Sequence, residues 1–233
     1  MFDSVALRAR FADVRDRIAR VAGRAGRDPA SVRLIAVSKT FDADHVRALA
    51  DCGQIDFGEN KVQEAVPKMV QTADLRLAWH LVGHLQSNKV KKVGAHFDVV
   101  HSVDAAALVP QLDEAAGSRA IKLLVQVDLA GEATKHGARE DELAGIFEAA
   151  RRCRAAHAVG LMLLPPAADD PDQARPYFRA LRAVRDRLVA QGVDPSMVNE
   201  LSMGMSHDFE VAIEEGATLI RVGTAIFGSR TYV

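Results

Sequence analysis

Lys39 follows Ile35 and Val37 at a spacing of two, so all three face one side of an extended segment. A lysine on an apolar strand face is costly to bury unless it is paired or neutral. Burial lowers its pKa, which makes it a Schiff-base nucleophile. The competing reading is a lysine that snorkels to solvent from a strand end. Further on, LSMGMSHDF (Leu201–Phe209) ends a strand near Met203, with Gly204 permitting a tight turn. Ser206 then stands where an N-cap belongs, before a helix containing Phe209, Ala212 and Ile213. A serine hydroxyl beside exposed backbone amides is an anion site. IRVGTAIFG (Ile220–Gly228) repeats the design with Gly223 and Thr224. Either turn alone would be an ordinary cap, but the pair points to a phosphate. Arg221, between Ile220 and Val222, needs a partner, either a carboxylate or an acceptor on a ligand.

Other chemistries find little support. His80 and His84 form HxxxH, which is metal-ligand spacing only on a helix, and Trp79–Gly83 reads as a strand. No metal site is expected; a ligand-orienting or loop-packing histidine fits better. Cys52 and Cys153 have no CxxC spacing, so neither zinc nor a redox pair is indicated. There is no GxSxG, no GxxxxGK[ST] and no nucleophilic Cys-His arrangement.

These residues must be positioned by something, and the pattern behind them is alternation. Apolar runs at Val32–Ser38, Ile55–Gly58, Ala78–Gly83, Phe97–His101, Lys122–Asp128, Val159–Leu164, Asn199–Met203 and Leu219–Gly223 predict eight strands. Amphipathic stretches lie between them, among them Asp44–Asp51, Asp104–Ala116, Glu140–Arg154, Asp172–Gln191 and Phe209–Glu215. Strands alternating with helices imply right-handed βαβ units and a parallel sheet. At about 29 residues per unit, the chain suits a (β/α)8 TIM barrel, and active sites of that fold lie at the carboxyl ends of the strands. A doubly wound open sheet is the rival, but no GxGxxG follows the first strand. One helix, Val5–Ala22, precedes the first strand, with Leu7, Phe11, Val14, Ile18 and Val21 on one stripe. It is expected to fill the place of a full eighth helix. Pro165–Pro171 reads as a surface loop, and the whole chain, residues 1–233, reads as one domain.

Composition bounds the rest. The chain has 233 residues, 48% hydrophobic and 26% charged, which excludes a disordered or collagen-like protein. Lys plus Arg is 30 against 31 for Asp plus Glu, a net charge of −1, so no nucleic-acid partner is expected. There is no apolar h-region at the start and no long apolar span, so the expectation is a soluble cytoplasmic protein with no membrane partner.

Taken together, AVSKT (Ala36–Thr40), FGENKVQE (Phe57–Glu64), WHLVGHLQSNK (Trp79–Lys89), HSVD (His101–Asp104), QVDLAGEATKHG (Gln126–Gly137), GLMLLP (Gly160–Pro165), LSMGMSHDFEVAI (Leu201–Ile213) and RVGTAIFGSR (Arg221–Arg230) resemble one family. It is the pyridoxal phosphate homeostasis proteins, also called the proline synthase co-transcribed family. The motifs run in order over nearly the whole chain. Two departures show. Lys61 stands where the family usually has an aromatic residue, and Asp128-Leu129-Ala130 replaces an NISG-like stretch.

The resemblance implies a barrel like the N-terminal domain of alanine racemase. It implies that Lys39 holds pyridoxal 5'-phosphate (PLP) as an internal aldimine. By the same resemblance Ser206 and the Gly223-Thr224 backbone bind the phosphate, Arg221 faces the pyridine nitrogen, and Asn60, His84, Met162 and Ser202 line the cofactor. A guanidinium there keeps that nitrogen unprotonated, which weakens the ring as an electron sink. Racemases add a tyrosine as opposing base, and here Tyr177 and Tyr232 are both poorly placed for it. The expected function is therefore to hold PLP within vitamin B6 homeostasis and hand it to PLP-dependent apo-enzymes, as a monomer, with no catalytic residues of its own. A PLP-dependent racemase is the first rival and a cofactor-free Schiff-base aldolase the second.

Overall fold

The structure, a computed structural model, describes residues 3–131 and 136–228. Eight parallel strands close into a barrel in sequence order: β1 (Arg33–Val37), β2 (Asp56–Glu59), β3 (Ala78–Leu81), β4 (Val99–Val103), β5 (Ile121–Gln126), β6 (Ala156–Met162), β7 (Glu200–Met205) and β8 (Leu219–Val222). Closure is made by β1 and β8, where Ile35 sits opposite Arg221 and Ala36 opposite Val222. This is the expected (β/α)8 barrel, not the open sheet.

The helices are α1 (Ser4–Arg24), α2 (Ala43–Ala50), α3 (Val62–Gln71), α4 (Val90–His96), α5 (Leu108–Ala116), α6 (Leu143–Arg151), α7 (Arg175–Ala190), α8 (Phe209–Glu214) and α9 (Thr224–Phe227). The first helix starts where Asp3 accepts a hydrogen bond from the Ala6 amide at 3.0 Å, and it buries Leu7, Phe11, Val14, Ile18 and Val21, the expected stripe. Because α9 is a single turn, α1 takes up the space beside β1 and β8 and packs on α2, α8 and α9. The Arg10 guanidinium donates to the carbonyls of Ile226 and Phe227 and joins α1 to the end of α9. Two expected helices begin later than their patterns suggest. Short 3₁₀ turns at Glu140–Glu142 and Pro171–Ala174 precede α6 and α7.

The pleat sorts side chains into two cores. Outward residues such as Ala36, Phe57, Leu123 and Leu161 pack against the helices. Inward residues form a smaller cluster of Ile35, Val99, Leu124, Met162 and Leu219. Barrel interiors are normally filled by such branched apolar layers. Here, however, Asp56, His80, His101, Ser202 and Arg221 are hydrogen-bonded to one another through the same interior.

Candidate functional site

The carboxyl ends of the strands surround a cavity of about 590 Å³. Its walls include Lys39, Asn60, His84, Ser206, Arg221, Gly223 and Thr224, the seven expected site residues that the fold brings together. Met162 and Ser202 do not line it. Both are fully buried below its floor, Met162 in the inner apolar cluster and Ser202 against His101 and Arg221. Tyr177 lies on α7, packed on the outer core, and is not among the cavity residues. Tyr232 falls outside the described residues.

Lys39 is half-buried, two residues past the buried end of β1. The strand end that presents it is clamped from behind. Lys68 of α3 donates to the Ser38 carbonyl at 2.7 Å and to Glu59 Oε1 at 2.6 Å, and the Ser38 hydroxyl donates to the same Glu59 oxygen. Burial pushes the Glu59 carboxyl up, against the pull of the Lys68 charge. On the other side of Lys39, Thr40 has φ of 70°, a left-handed conformation that is strained for a β-branched residue. The chain therefore turns sharply after Lys39. Phe41 follows and stacks on Phe227 at 4.9 Å between centroids, tying this turn to α9.

The loop after β7 differs from its sequence-based expectation. Ser206 does not cap the helix containing Phe209; Asp208 stands at that position. The reason is local. Asp208 accepts from the Met205 amide at 2.6 Å and its own amide donates to the Met205 carbonyl, so a turn intervenes between β7 and α8. Ser206 is left to face the next loop, where its Oγ accepts from the amides of Gly223 at 3.1 Å and Ala225 at 3.2 Å. The two expected phosphate loops are thus joined at one point. Gly204, at φ of 90°, supports the turn, since a Cβ there would meet the Ala212 side chain at 2.5 Å.

Arg221 is almost fully buried at the cavity floor. It donates to Ser202 Oγ at 2.5 Å and to the Leu163 carbonyl at 2.9 Å. Burial lowers its pKa to about 10, so the guanidinium is a cation at neutral pH. In the loop after β2, Asn60 is held by close backbone packing: a Cβ on Gly83 would sit 2.2 Å from the Asn60 carbonyl oxygen.

Several cavity residues were not foreseen, among them Gln126, His136, Leu164 and His207. Gln126 was legible in principle, because it continues the inward alternation Lys122, Leu124, Gln126. His136 carries no periodic signal; it reaches the site because Gln126 donates to its carbonyl. Its ring stacks on that of His84 at 3.5 Å and 9°. His84, Asp104 and His136 bring ligand atoms within 4.8 Å of one another. The in-plane lone pairs of the two rings lie in nearly parallel planes, a geometry that suits ring stacking better than sharing one ion. Burial and the neighbouring His136 lower the His84 pKa, against the pull of Asp104.

Known proteins resemble this chain over nearly its whole length. Residues 10–231 match the family described as alanine racemase, N-terminal domain. The chain is 41% identical over 225 residues to the pyridoxal phosphate homeostasis protein of Aquifex aeolicus, covering 96% of this chain and 98% of the relative. It is 43% identical over 225 residues to the protein of the same name from Pseudomonas aeruginosa, covering 95% of each. Among solved structures, PipY of Synechococcus elongatus with PLP bound superposes with a TM-score of 0.80 at 40% identity, covering 91% of this chain and 100% of that one. An alanine racemase from Clostridium difficile superposes with a TM-score of 0.70 at 15% identity, covering 97% of this chain and 57% of the racemase, a likeness of fold alone. Near-complete coverage at about two-fifths identity places the chain in the pyridoxal phosphate homeostasis protein family.

Proposed function

We propose that this protein binds PLP at the carboxyl end of its barrel and serves PLP homeostasis as a holder of the cofactor, not as a catalyst. One observation carries the reading. A lysine, a serine hydroxyl already bonded to two backbone amides, and a buried arginine converge on one cavity. The three groups fit three parts of PLP. The Lys39 amine condenses with the aldehyde carbon, releasing water and leaving an imine. Ser206 and the amides around Gly223 and Thr224 take the phosphate. Arg221 meets the ring nitrogen as a cation and keeps it unprotonated. Asn60 and His84 flank the ring from the loops after β2 and β3. The names of the relatives and the PLP bound to PipY support PLP as the ligand.

The wider role follows from the chemistry. A cofactor held through a reversible imine and a surface-facing phosphate loop can be released and transferred, so the partners we propose are PLP-dependent apo-enzymes. The proposed setting is a reducing compartment such as the cytoplasm, consistent with Cys52 and Cys153 both being free, and the proposed working form is a monomer. Among the described residues, no helix is long and apolar enough to cross a membrane.

The test is chemical. Protein incubated with PLP should turn yellow, and borohydride should reduce the imine and fix the label on Lys39. Peptide mapping that places the label only on another lysine would overturn the assignment.

A further inference from the structure

The barrel interior contains a chain of hydrogen bonds that no part of the reading above requires. Asp56 Oδ1 lies 2.9 Å from His80 Nε2, and His80 Nδ1 lies 2.9 Å from His101 Nε2. His101 Nδ1 lies 2.8 Å from Ser202 Oγ, which accepts from Arg221 at 2.5 Å. His80, His101 and Ser202 are fully buried, while the Asp56 side chain is 20% exposed at the base of the barrel. The chain thus runs from solvent at the amino ends of the strands to the floor of the cavity at their carboxyl ends.

Donor arithmetic gives the chain one direction. Arginine only donates, so Ser202 Oγ accepts from Arg221. The serine's own proton needs an acceptor, and among the described contacts the one available is His101 Nδ1. His101 is neutral, because burial presses its pKa well below the usual value and the nearby Arg221 cation adds to this. A neutral ring with a bare Nδ1 carries its proton on Nε2 and donates to His80 Nδ1. His80 then carries its proton on Nε2 and donates to the Asp56 carboxylate. Every donor and acceptor along the line is used once, with a cation at one end and an anion at the other.

We propose that Asp56, His80, His101 and Ser202 form a directional relay that fixes the Arg221 guanidinium at the cofactor's ring nitrogen, which makes all four positioning residues of the site. The proposal rests on the assignment of Arg221 to the ring nitrogen made above. Its physical basis is cost. A buried polar chain is no more stabilising than the apolar layers that usually fill a barrel, and every unsatisfied member is penalised. A polar line through the core therefore implies that something at its end needs orienting. Among the described residues, no carboxylate is hydrogen-bonded to Arg221. Asp208 acts on it across space, and Asp56 acts through the relay. The other charged groups near the lower end are Arg33, Lys122 and Glu200, which line the small cavity beside His80, and Arg15, which borders the groove beside Asp56.

The experiment has two readouts. The first needs no cofactor and no variant: ¹⁵N NMR of histidine-labelled, ligand-free protein should show His80 and His101 neutral, with the proton on Nε2 in both. A proton on Nδ1 of either ring, or a charged ring at neutral pH, would overturn the relay. The second is the pH titration of the visible absorbance of the PLP-loaded protein. Asp56→Ala removes the anion and leaves the cavity lining unchanged, so the field at the ring becomes more positive and the titration midpoint should move to lower pH. Asp56→Asn, which keeps an acceptor without the charge, should fall between Asp56→Ala and wild type. A curve for Asp56→Ala superimposable on the wild type would overturn the proposal. Wild-type protein that develops no cofactor absorbance at all would overturn the site assignment instead, an outcome distinct from both.

Discussion

Ser206 shows how a residue can be read correctly as to place and wrongly as to partner. The Gly-Ser turn announces a cap, yet the hydroxyl bridges to the amides of Gly223 and Ala225 across the neighbouring loop. Sequence spacing cannot show this, because the bond spans 17 residues to Gly223 and depends on β7 and β8 lying side by side. A hydrogen bond to a charged group contributes roughly 1.5–3 kcal/mol. Ser206→Ala should therefore weaken PLP binding about tenfold or more, at about 1.4 kcal/mol per factor of ten. Affinity for unphosphorylated pyridoxal should hardly change, since the loss is confined to the phosphate. Titration of both ligands by absorbance checks this, and equal losses for the two would remove Ser206 from the phosphate site. Lys39 was legible by contrast, because the alternation of Ile35, Val37 and Lys39 needs only local geometry. The buried Lys68–Glu59 pair behind it was not, because nothing in FGENKVQE tells that a lysine nine residues on returns to the strand.

At the scale of elements, the strands announced themselves because a parallel sheet covered on both faces is apolar on both. The helix α3 is harder to read. Pro67 sits inside it and removes one backbone donor. The end of α5 shows a device that sequence could not reveal. Asp113 accepts hydrogen bonds from the amides of Arg154, Ala155 and Ala156 at 2.9, 2.6 and 2.8 Å, holding this helix to the start of β6. Burial alone would raise its pKa, but the three amides outweigh it and hold the carboxyl below its usual value. A depressed carboxyl pKa stabilises the fold above the unfolded-state value of about 3.9, and that stability is lost as pH falls through the folded-state value. Asp113→Ala should thus destabilise the protein by about 1–3 kcal/mol at neutral pH. Its deficit should shrink as pH falls below about 4. Denaturant midpoints of both proteins at neutral and acid pH test this, and a variant as stable as wild type at neutral pH would contradict it.

For the molecule as a whole, the question is whether this barrel holds its cofactor or uses it. Racemisation needs acid–base groups on both faces of the substrate α-carbon, because the proton leaves one side and returns on the other. On the proposed assignment, Lys39 would supply one face once a substrate amine displaced it. Among the described cavity residues there is no tyrosine or cysteine to supply the other. His84 and His136 are stacked on each other, with Asp104 at 3.7 Å from His84, and the His207 ring is hydrogen-bonded to the Asp169 carbonyl. With the buried cation Arg221 at the ring nitrogen, as proposed, the ring would also be a weaker electron sink. Racemisation of alanine or other common amino acids should accordingly fall far below the usual enzyme turnover of about 10 per second. Exchange of the α-proton for solvent deuterium, followed by NMR beside chiral analysis of the products, measures both half-reactions. Turnover near that typical value, abolished in Lys39→Ala, would make the protein an enzyme. Slow exchange without inversion would show that substrate amines reach the cofactor while the second face lacks its base, as expected of a holder that must let its cofactor go.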